Sequence, residues 1–291
     1  MKKILLITSI SLLAAVSTNS YADEKPEPKI KEIKQAVAKL DKKTAAEKAA
    51  KELANPNTVY ATMTFKFQYS SGYEGNGSSL ATVFQPSMPM PLANGDKVFF
   101  RPAITYIDND YSFGDDVNVD SHGFSDISFD LMYSPTLSDP TNLVGLGVLT
   151  TLPTGSAGIS GNQYAMGPEF FVGKLSGKRV FGALTSHQWG FNADKGVEQT
   201  NRTAMQLMWV EIAGGGWTYG SAPQLSYDWN NDQAEIPLNL MLSKTVIMGQ
   251  RPWKLGMEVN YYVEKAQHRP DFMFSFSIAP VVENRLATLL Q

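Results

Sequence analysis

From residue 58 onward the chain alternates apolar and polar residues with a period of two. In the run Val59, Tyr60, Ala61, Thr62, Met63, Thr64, Phe65, Lys66, Phe67, Gln68, Tyr69, Ser70, the apolar members from Val59 to Tyr69 fall on one face. Thr62, Thr64, Lys66, Gln68 and Ser70 fall on the other. A strand places successive side chains on opposite faces, so this is a strand with one apolar and one polar side. The pattern returns in Trp253, Leu255, Met257, Val259, Tyr261 and Val263, and again in Phe272, Phe274, Phe276 and Ile278. It also occurs in Ile236, Leu238, Leu240 and Leu242, and in Ile127, Phe129, Leu131 and Tyr133. Twelve strands are predicted, at 59–70, 79–90, 97–107, 123–134, 143–153, 163–174, 179–190, 202–212, 217–229, 235–247, 252–264 and 271–282. Those at 179–190 and 202–212 alternate poorly, and the pattern does not assign their faces.

An even number of strands near the roughly 9–11 residues that cross a bilayer at a tilt predicts an all-β fold, an antiparallel transmembrane β-barrel. The connections agree. Short ones rich in turn residues (Asn94-Gly95-Asp96, Ser176-Gly177, Gly214-Gly215-Gly216, Gly249-Gln250) alternate with longer ones, of which 108–122 is the longest. Outer-membrane barrels keep their short turns on the periplasmic side. Trp217 and Trp229 share a face twelve residues apart, about 40 Å along a strand and about 30 Å in depth once the strand tilts, close to the distance between two aromatic girdles. Pro102, Pro168, Pro223, Pro237 and Pro280 fall inside predicted strands and require bulges, strand ends or local breaks.

The N-terminal residues set the expected compartment. Lys2 and Lys3 precede an apolar stretch at 4–16, and Ser20 and Ala22 sit at −3 and −1 of a cleavage site. This predicts a signal peptide at 1–22. A charged helical periplasmic segment is expected at 23–57, with its helix at 29–54, and the barrel at 58–291. Ile30, Ile33, Val37 and Leu40 recur at helical spacing among lysines and acids. The stretch 25–54 carries +4 and 55–291 carries −7. Three roles fit this segment: a solvated spacer, a plug drawn to an acidic lumen, or a self-association element.

Composition excludes several chemistries. The chain has no Cys and three His, which removes thiolate metal sites, disulfides and a cysteine nucleophile. The formal charge of −3 gives no general affinity for nucleic acid. No Gly-x-Ser-x-Gly, His-Glu-x-x-His or phosphate loop is present. Ser186 and His187 are adjacent, so a strand points them to opposite faces, which spoils a hydrolase pair. No catalytic residue, metal or cofactor is expected. Asp108, Asp110, Asp115, Asp116 and Asp120 lie together in 108–122 without EF-hand spacing. They read either as a calcium site or as a solvated loop that meets lipopolysaccharide through divalent cations.

Several motifs together resemble one family. They are Gly167-Pro168-Glu169-Phe170-Phe171-Val172-Gly173-Lys174-Leu175, His187-Gln188-Trp189, Gly220-Ser221-Ala222-Pro223 with Ser226-Tyr227-Asp228-Trp229, and Arg251-Pro252-Trp253-Lys254 running into Asn260-Tyr261-Tyr262-Val263-Glu264. The family is the outer-membrane one named for the phenol meta-degradation pathway, often labelled transporters and sometimes "neuromedin U". The resemblance runs from about Ala45 to Ala287. It implies a β-barrel in a Gram-negative outer membrane and uptake of small, aromatic or other hydrophobic molecules, and it supplies no catalytic residues. The chain departs from the usual barrel ending because residues 287–291 lack a terminal aromatic. The signal for the barrel-assembly machinery would then be the strand holding Phe272, Phe274 and Phe276.

The function expected is porin-like: a channel or transporter for small solutes, with membrane lipid and lipopolysaccharide as surroundings. A structural or surface barrel without transport is the alternative, and a membrane-embedded lipid hydrolase a weaker one. The residues expected to line the lumen are Lys66, Arg101, Asp126, Asp130, Glu169, Asp228, Lys254, Glu258, Asn260 and Glu264. Their acidic excess predicts a weak preference for cations or neutral solutes over anions.

Overall fold

The structure, a computed structural model, describes residues 27–113, 117–284 and 287; side chains are described from residue 41 onward. The signal peptide expected at 1–22, together with Asp115 and Asp116, lies outside the described residues. A helix, α1 (Glu27–Ala54), is followed by fourteen strand segments. They are β1 (Ala61–Ser71), β2 (Gly77–Pro91), β3 (Lys97–Phe113), β4 (Val117–Phe124), β5 (Ile127–Ser134), β6 (Asn142–Leu152) and β7 (Tyr164–Ser176). Then come β8 (Arg179–Phe191), β9 (Asn201–Gly214), β10 (Trp217–Ser221), β11 (Gln224–Asp228), β12 (Gln233–Met248), β13 (Arg251–Glu264) and β14 (Phe272–Val282). The chain divides into two compact units, Met1–Asp41 and Lys42–Gln291, so the last turns of α1 belong to the same unit as the strands.

The fourteen segments form twelve antiparallel barrel strands. β4 and β5 both pair with β3, and β10 and β11 both pair with β9 and β12, so each couple is one strand interrupted midway. The barrel closes where β1 pairs β14, from Ala61 opposite Val282 to Ser71 opposite Phe272. The expected 108–122 loop is instead a hairpin. β3 runs on to Phe113 and pairs with β4, from Tyr106 opposite Phe124 to Phe113 opposite Val117. Alternation continues there in polar residues such as Asp108, Asn109 and Asp110, where no apolar face marks a strand.

Facing follows the pleat. Phe65, Phe67, Tyr69, Leu146, Val148, Leu238, Leu240, Met257, Val259, Phe272, Phe274 and Phe276 are exposed on the outer face. Trp217 and Trp229 both lie on it, at opposite ends of the interrupted β10–β11 strand. The Trp229 indole donates to Thr203 Oγ1 at 2.8 Å, and Lys244 Nζ sits 4.6 Å above the Trp217 ring. Both girdle residues thus satisfy a polar partner while lying against lipid.

The prolines occupy positions where one ladder is already open. A strand residue points its N–H to one neighbour only, so proline removes rungs on one side and leaves the other intact. Pro168 stays opposite Val148 in β6, while the β7–β8 ladder skips 167 and 168. Pro280 stays opposite Trp253, while the β1–β14 ladder skips 279 and 280. Pro237 sits at a register shift, and Pro223 in the gap between β10 and β11. The longest omission is between β2 and β3, where pairing stops at Phe84 opposite Ile104 and resumes at Met88 opposite Phe100. The unchanged register puts Pro86 directly across from Pro102, so neither supplies a donor.

The turn between β2 and β3 is organised by Asp96. Its carboxylate accepts from Thr136 N at 2.7 Å, from Asn94 Nδ2 at 2.6 Å and from the Tyr133 hydroxyl. The Tyr133 bond, then that of Thr136, hold the Asp96 carboxyl below the usual carboxylate range. A depressed acid stabilises the fold above its unfolded value and loses that contribution as pH falls through the folded one. The stability of wild type in detergent should therefore fall between neutral pH and about pH 3 more than that of Asp96→Asn, read as urea midpoints by heat-modifiable gel mobility. Equal pH slopes for the two chains would show that Asp96 does not carry this linkage.

Candidate functional site

The inner face of the barrel has two chemically distinct sides. On one arc Phe99, Met132, Leu143 and Phe171 form a buried cluster, with Leu175, Leu184 and Met208 packed against it. Leu175 and Met208 also touch a second cluster of Ala54, Val180 and Val210, joined by Ile212 and Met241. These clusters make part of the lining between β3 and β9 apolar. Glycines make room for it: a Cβ on Gly173 or Gly182 would come within 2.8 or 3.0 Å of the Phe171 ring. A small cavity of about 40 Å³ lies against this arc. Phe99, Met132, Phe171, Leu184 and Met208 supply its apolar walls, and Arg101, Ser134, Gln206 and Asn57 its polar ones.

Arg101 ties that cavity to a charge cluster. It stands directly opposite Asp130 across β3 and β5, and its Nε donates to Asp130 Oδ1 at 2.8 Å. A second guanidinium nitrogen lies 3.8 Å from Glu169 Oε2. Both carboxylates are buried and Arg101 is partly exposed, so one cation serves two acids beside an apolar wall. Removing the cation would strand two charges.

The opposite side of the lumen is polar. Asn239 Nδ2 donates to Glu258 Oε1 at 2.7 Å and Asn260 Oδ1 at 2.8 Å, and Asn260 Nδ2 donates to Glu258 at 3.2 Å. Asn239 Oδ1 accepts from Ala222 N at 2.6 Å, and its backbone oxygen accepts from Ser221 Oγ at 2.7 Å. One buried asparagine thus supplies the partners that the break at Pro223 leaves open on that side. Lys66 Nζ donates to Gln85 at 3.2 Å, and Lys254 shares the inner face with Glu258 on β13. Near the other end Glu235 lies 3.0 Å from Arg202 and 2.9 Å from Arg269.

Three residues of the expected lumen set sit elsewhere in function. Asp126 lies in the break between β4 and β5 and accepts from Gly155 N, Ser160 Oγ and Gly161 N at 2.7–2.9 Å. It fastens the 153–163 loop. Asp228 ends β11 and accepts from Asn230 N at 3.0 Å and Asn231 Nδ2 at 3.0 Å, shaping the 229–232 turn. Glu264 ends β13, exposed, with Gln233 at 3.4 Å. Sequence reasoning did not pick out Asn239, Phe99, Met132, Phe171 or Met208 as lining residues. The alternation of β12 held the signal for Asn239.

Ser186 and His187 do point to opposite faces. Ser186 is buried on the inside, and His187 Nδ1 meets Thr203 Oγ1 at 2.8 Å on the outside, beside Trp189. Thr203 Oγ1 also takes the Trp229 indole hydrogen bond, so the group belongs to the aromatic girdle. Among the described residues no three His, Asp or Glu side chains are grouped to hold a metal ion. Asp108, Asp110 and Asp120 lie on the exposed face of the β3–β4 hairpin.

No protein-family model matches the chain. No curated protein matches it either. Solved structures do. The COG4313 outer membrane channel from Pseudomonas putida F1 is similar with a TM-score of 0.59 and 14% identity, over 77% of this chain and 96% of that one. The NanC porin is similar with a TM-score of 0.50 and 14% identity, over 76% and 99%. The shared property is the fold, a porin-like barrel of the outer-membrane type.

Replacing Arg101 by Met should lower stability by about 3 kcal/mol, because Asp130 and Glu169 lose the one cation paired with them among the described residues, in a largely buried setting. Adding Asp130→Asn and Glu169→Gln to that variant should restore most of the loss. Urea unfolding in detergent, followed by tryptophan fluorescence, reads both effects. An unaffected single variant would mean that water, not Arg101, carries the two carboxylates.

Proposed function

We propose that this chain is an outer-membrane channel for small solutes, with preference for compounds that join an apolar or aromatic body to a polar group. One observation carries the reading: the cavity beside Arg101 offers apolar walls and hydrogen-bonding groups at the same place. A solute leaving water needs both, since its apolar surface gains from Phe99, Phe171 and Met208 while its polar atoms find Arg101, Ser134 or Gln206. The resemblance to the phenol meta-degradation family and the fold likeness to a channel support the same conclusion. The exposed apolar band supports residence in the outer membrane among lipid and lipopolysaccharide. Export through a signal peptide and insertion by the barrel-assembly machinery belong to this reading.

The charge preference differs from the one read from sequence. With Asp126 and Asp228 engaged in loops and turns, the inner-face acids Asp130, Glu169, Glu235 and Glu258 face the bases Lys66, Lys97, Arg101, Arg202 and Lys254, which removes the acidic excess. A lining without an acidic excess gives no preference for cations. A non-transporting structural barrel is the second reading, favoured by the pairing of Asn239 with Glu258, Asn260 and the Ala222 amide inside.

Planar-bilayer recording tests the proposal. Discrete currents with a reversal potential near zero under a salt gradient are expected from the whole chain or from a form lacking residues 23–54. Phenol-sized aromatic alcohols should interrupt the current more than sugars of equal concentration. Silence from both forms would overturn the channel and leave the structural barrel.

A further inference from the structure

The last turns of α1 and the residues after them are seated against the inner wall. Ala46, Ala49, Ala50 and Ala54 follow one another at helical spacing, and all four are buried, Ala49 and Ala50 to 2% exposure. Ala54 packs with Val180 and Val210, and Pro56 and Asn57 reach the cavity walled by Phe99, Met132 and Met208.

Two polar contacts fix this placement. The turn between β9 and β10 has three successive glycines with positive φ, at 86°, 58° and 85° for Gly214, Gly215 and Gly216. The Gly215 N–H donates to Glu47 Oε1 at 2.7 Å. A side chain on Gly216 would run into Thr245 O at 2.3 Å and reach within 3.5 Å of the Ala46 methyl, so the turn must be bare where α1 arrives. Lys97 Nζ donates to Asn57 O at 2.8 Å and to Asn57 Oδ1 at 3.3 Å. Glu52 accepts from Thr58 Oγ1 at 2.8 Å and Val59 N at 3.0 Å, which stiffens the link to β1.

From this geometry we propose that residues 42–57 are a releasable stopper at the short-turn end of the lumen, latched by Glu47 on the Gly215 amide. The inference rests on the channel reading and adds its regulation. Methyl groups slide from a wall without interlocking, whereas large side chains would have to repack. The described seat pairs no lysine of α1 with an acid of the lumen wall. The latch has the opposite sense, a carboxylate of the helix on a backbone amide of the wall. Salt should therefore release the stopper little, since a desolvated contact is screened less than an exposed pair.

The chain lacks cysteine, so a single one reports cleanly. Leu184→Cys places a thiol in the cavity, and its labelling by a charged methanethiosulfonate gives the readout. Glu47→Ala should speed labelling about tenfold or more, the factor that one charge-assisted hydrogen bond carries. Ala50→Leu should speed it at least as much, because the seat has no room for the added carbons. A protease site placed at residues 58–60 and cut after folding provides a third route that leaves barrel formation untouched. Heat-modifiable mobility in gels checks that each barrel is intact. Faster labelling after cutting, with bilayer current rising in step, supports the stopper. Equal labelling rates before and after the cut overturn it. Faster labelling without current in any form would retain the stopper and refute the channel.

Discussion

Closure of the sheet is the constraint on which everything else rests. In hydrocarbon a backbone N–H or C=O finds no water, so a sheet can cross only if its first and last strands pair. The β1–β14 ladder does that, and it turns a period-two sequence into an inside and an outside. The prolines show how much tolerance remains. Pro86, Pro102, Pro168 and Pro280 each keep one ladder and give up rungs of the other, and Pro86 opposite Pro102 concentrates two missing donors at one place. The Pro223 break is bridged on one side by Asn239, a buried amide whose groups also hold Glu258 and Asn260.

Much of this architecture was legible in the alternation, because strands such as β1, β12, β13 and β14 are apolar outside and polar inside. The apolar arc was not. In β7 Met166, Phe170 and Val172 face outward while Ala165, Gly167, Glu169 and Phe171 face inward, so both sides carry apolar residues. The same holds in β8, where Val180, Gly182, Leu184 and Ser186 lie inside and Phe181, His187 and Trp189 outside. Such strands lose the contrast that a period-two reading needs, which is why 179–190 and 202–212 gave no facing. Asp126 was misplaced for another reason. Its parity matches the inner face, but β4 ends at Phe124, and a strand break resets what parity means. In α1 the lysines drew attention, while the alanines at 46, 49, 50 and 54 make the contact, and alanine carries no signal beyond helix propensity.

The lumen that results is neither a wide aqueous pore nor a solid core. An apolar wall and a polar wall face one another, with the Arg101 charge cluster set beside the apolar one. Arg101 borders the cavity and faces two buried acids of the same arc, Asp130 on β5 and Glu169 on β7. The preference for solutes with mixed surfaces proposed above rests on this pairing of walls. Positioning falls to the turns and loops, with Asp96, Asp126 and Asp228 acting as fasteners rather than as lining.

Closure can be tested by covalent means in a chain without cysteine. Gln68 in β1 and Ser275 in β14 stand directly opposite in the ladder that completes the barrel. Directly opposed residues of an antiparallel pair hold their Cα atoms about 4.5–5.5 Å apart, within disulfide range. Cysteines at both positions should oxidise within the single chain and give a heat-resistant compact band, whereas a pair at Gln68 and Met273 should not. Failure of the first pair to cross-link, or cross-linking only between chains, would contradict a closed barrel in this register.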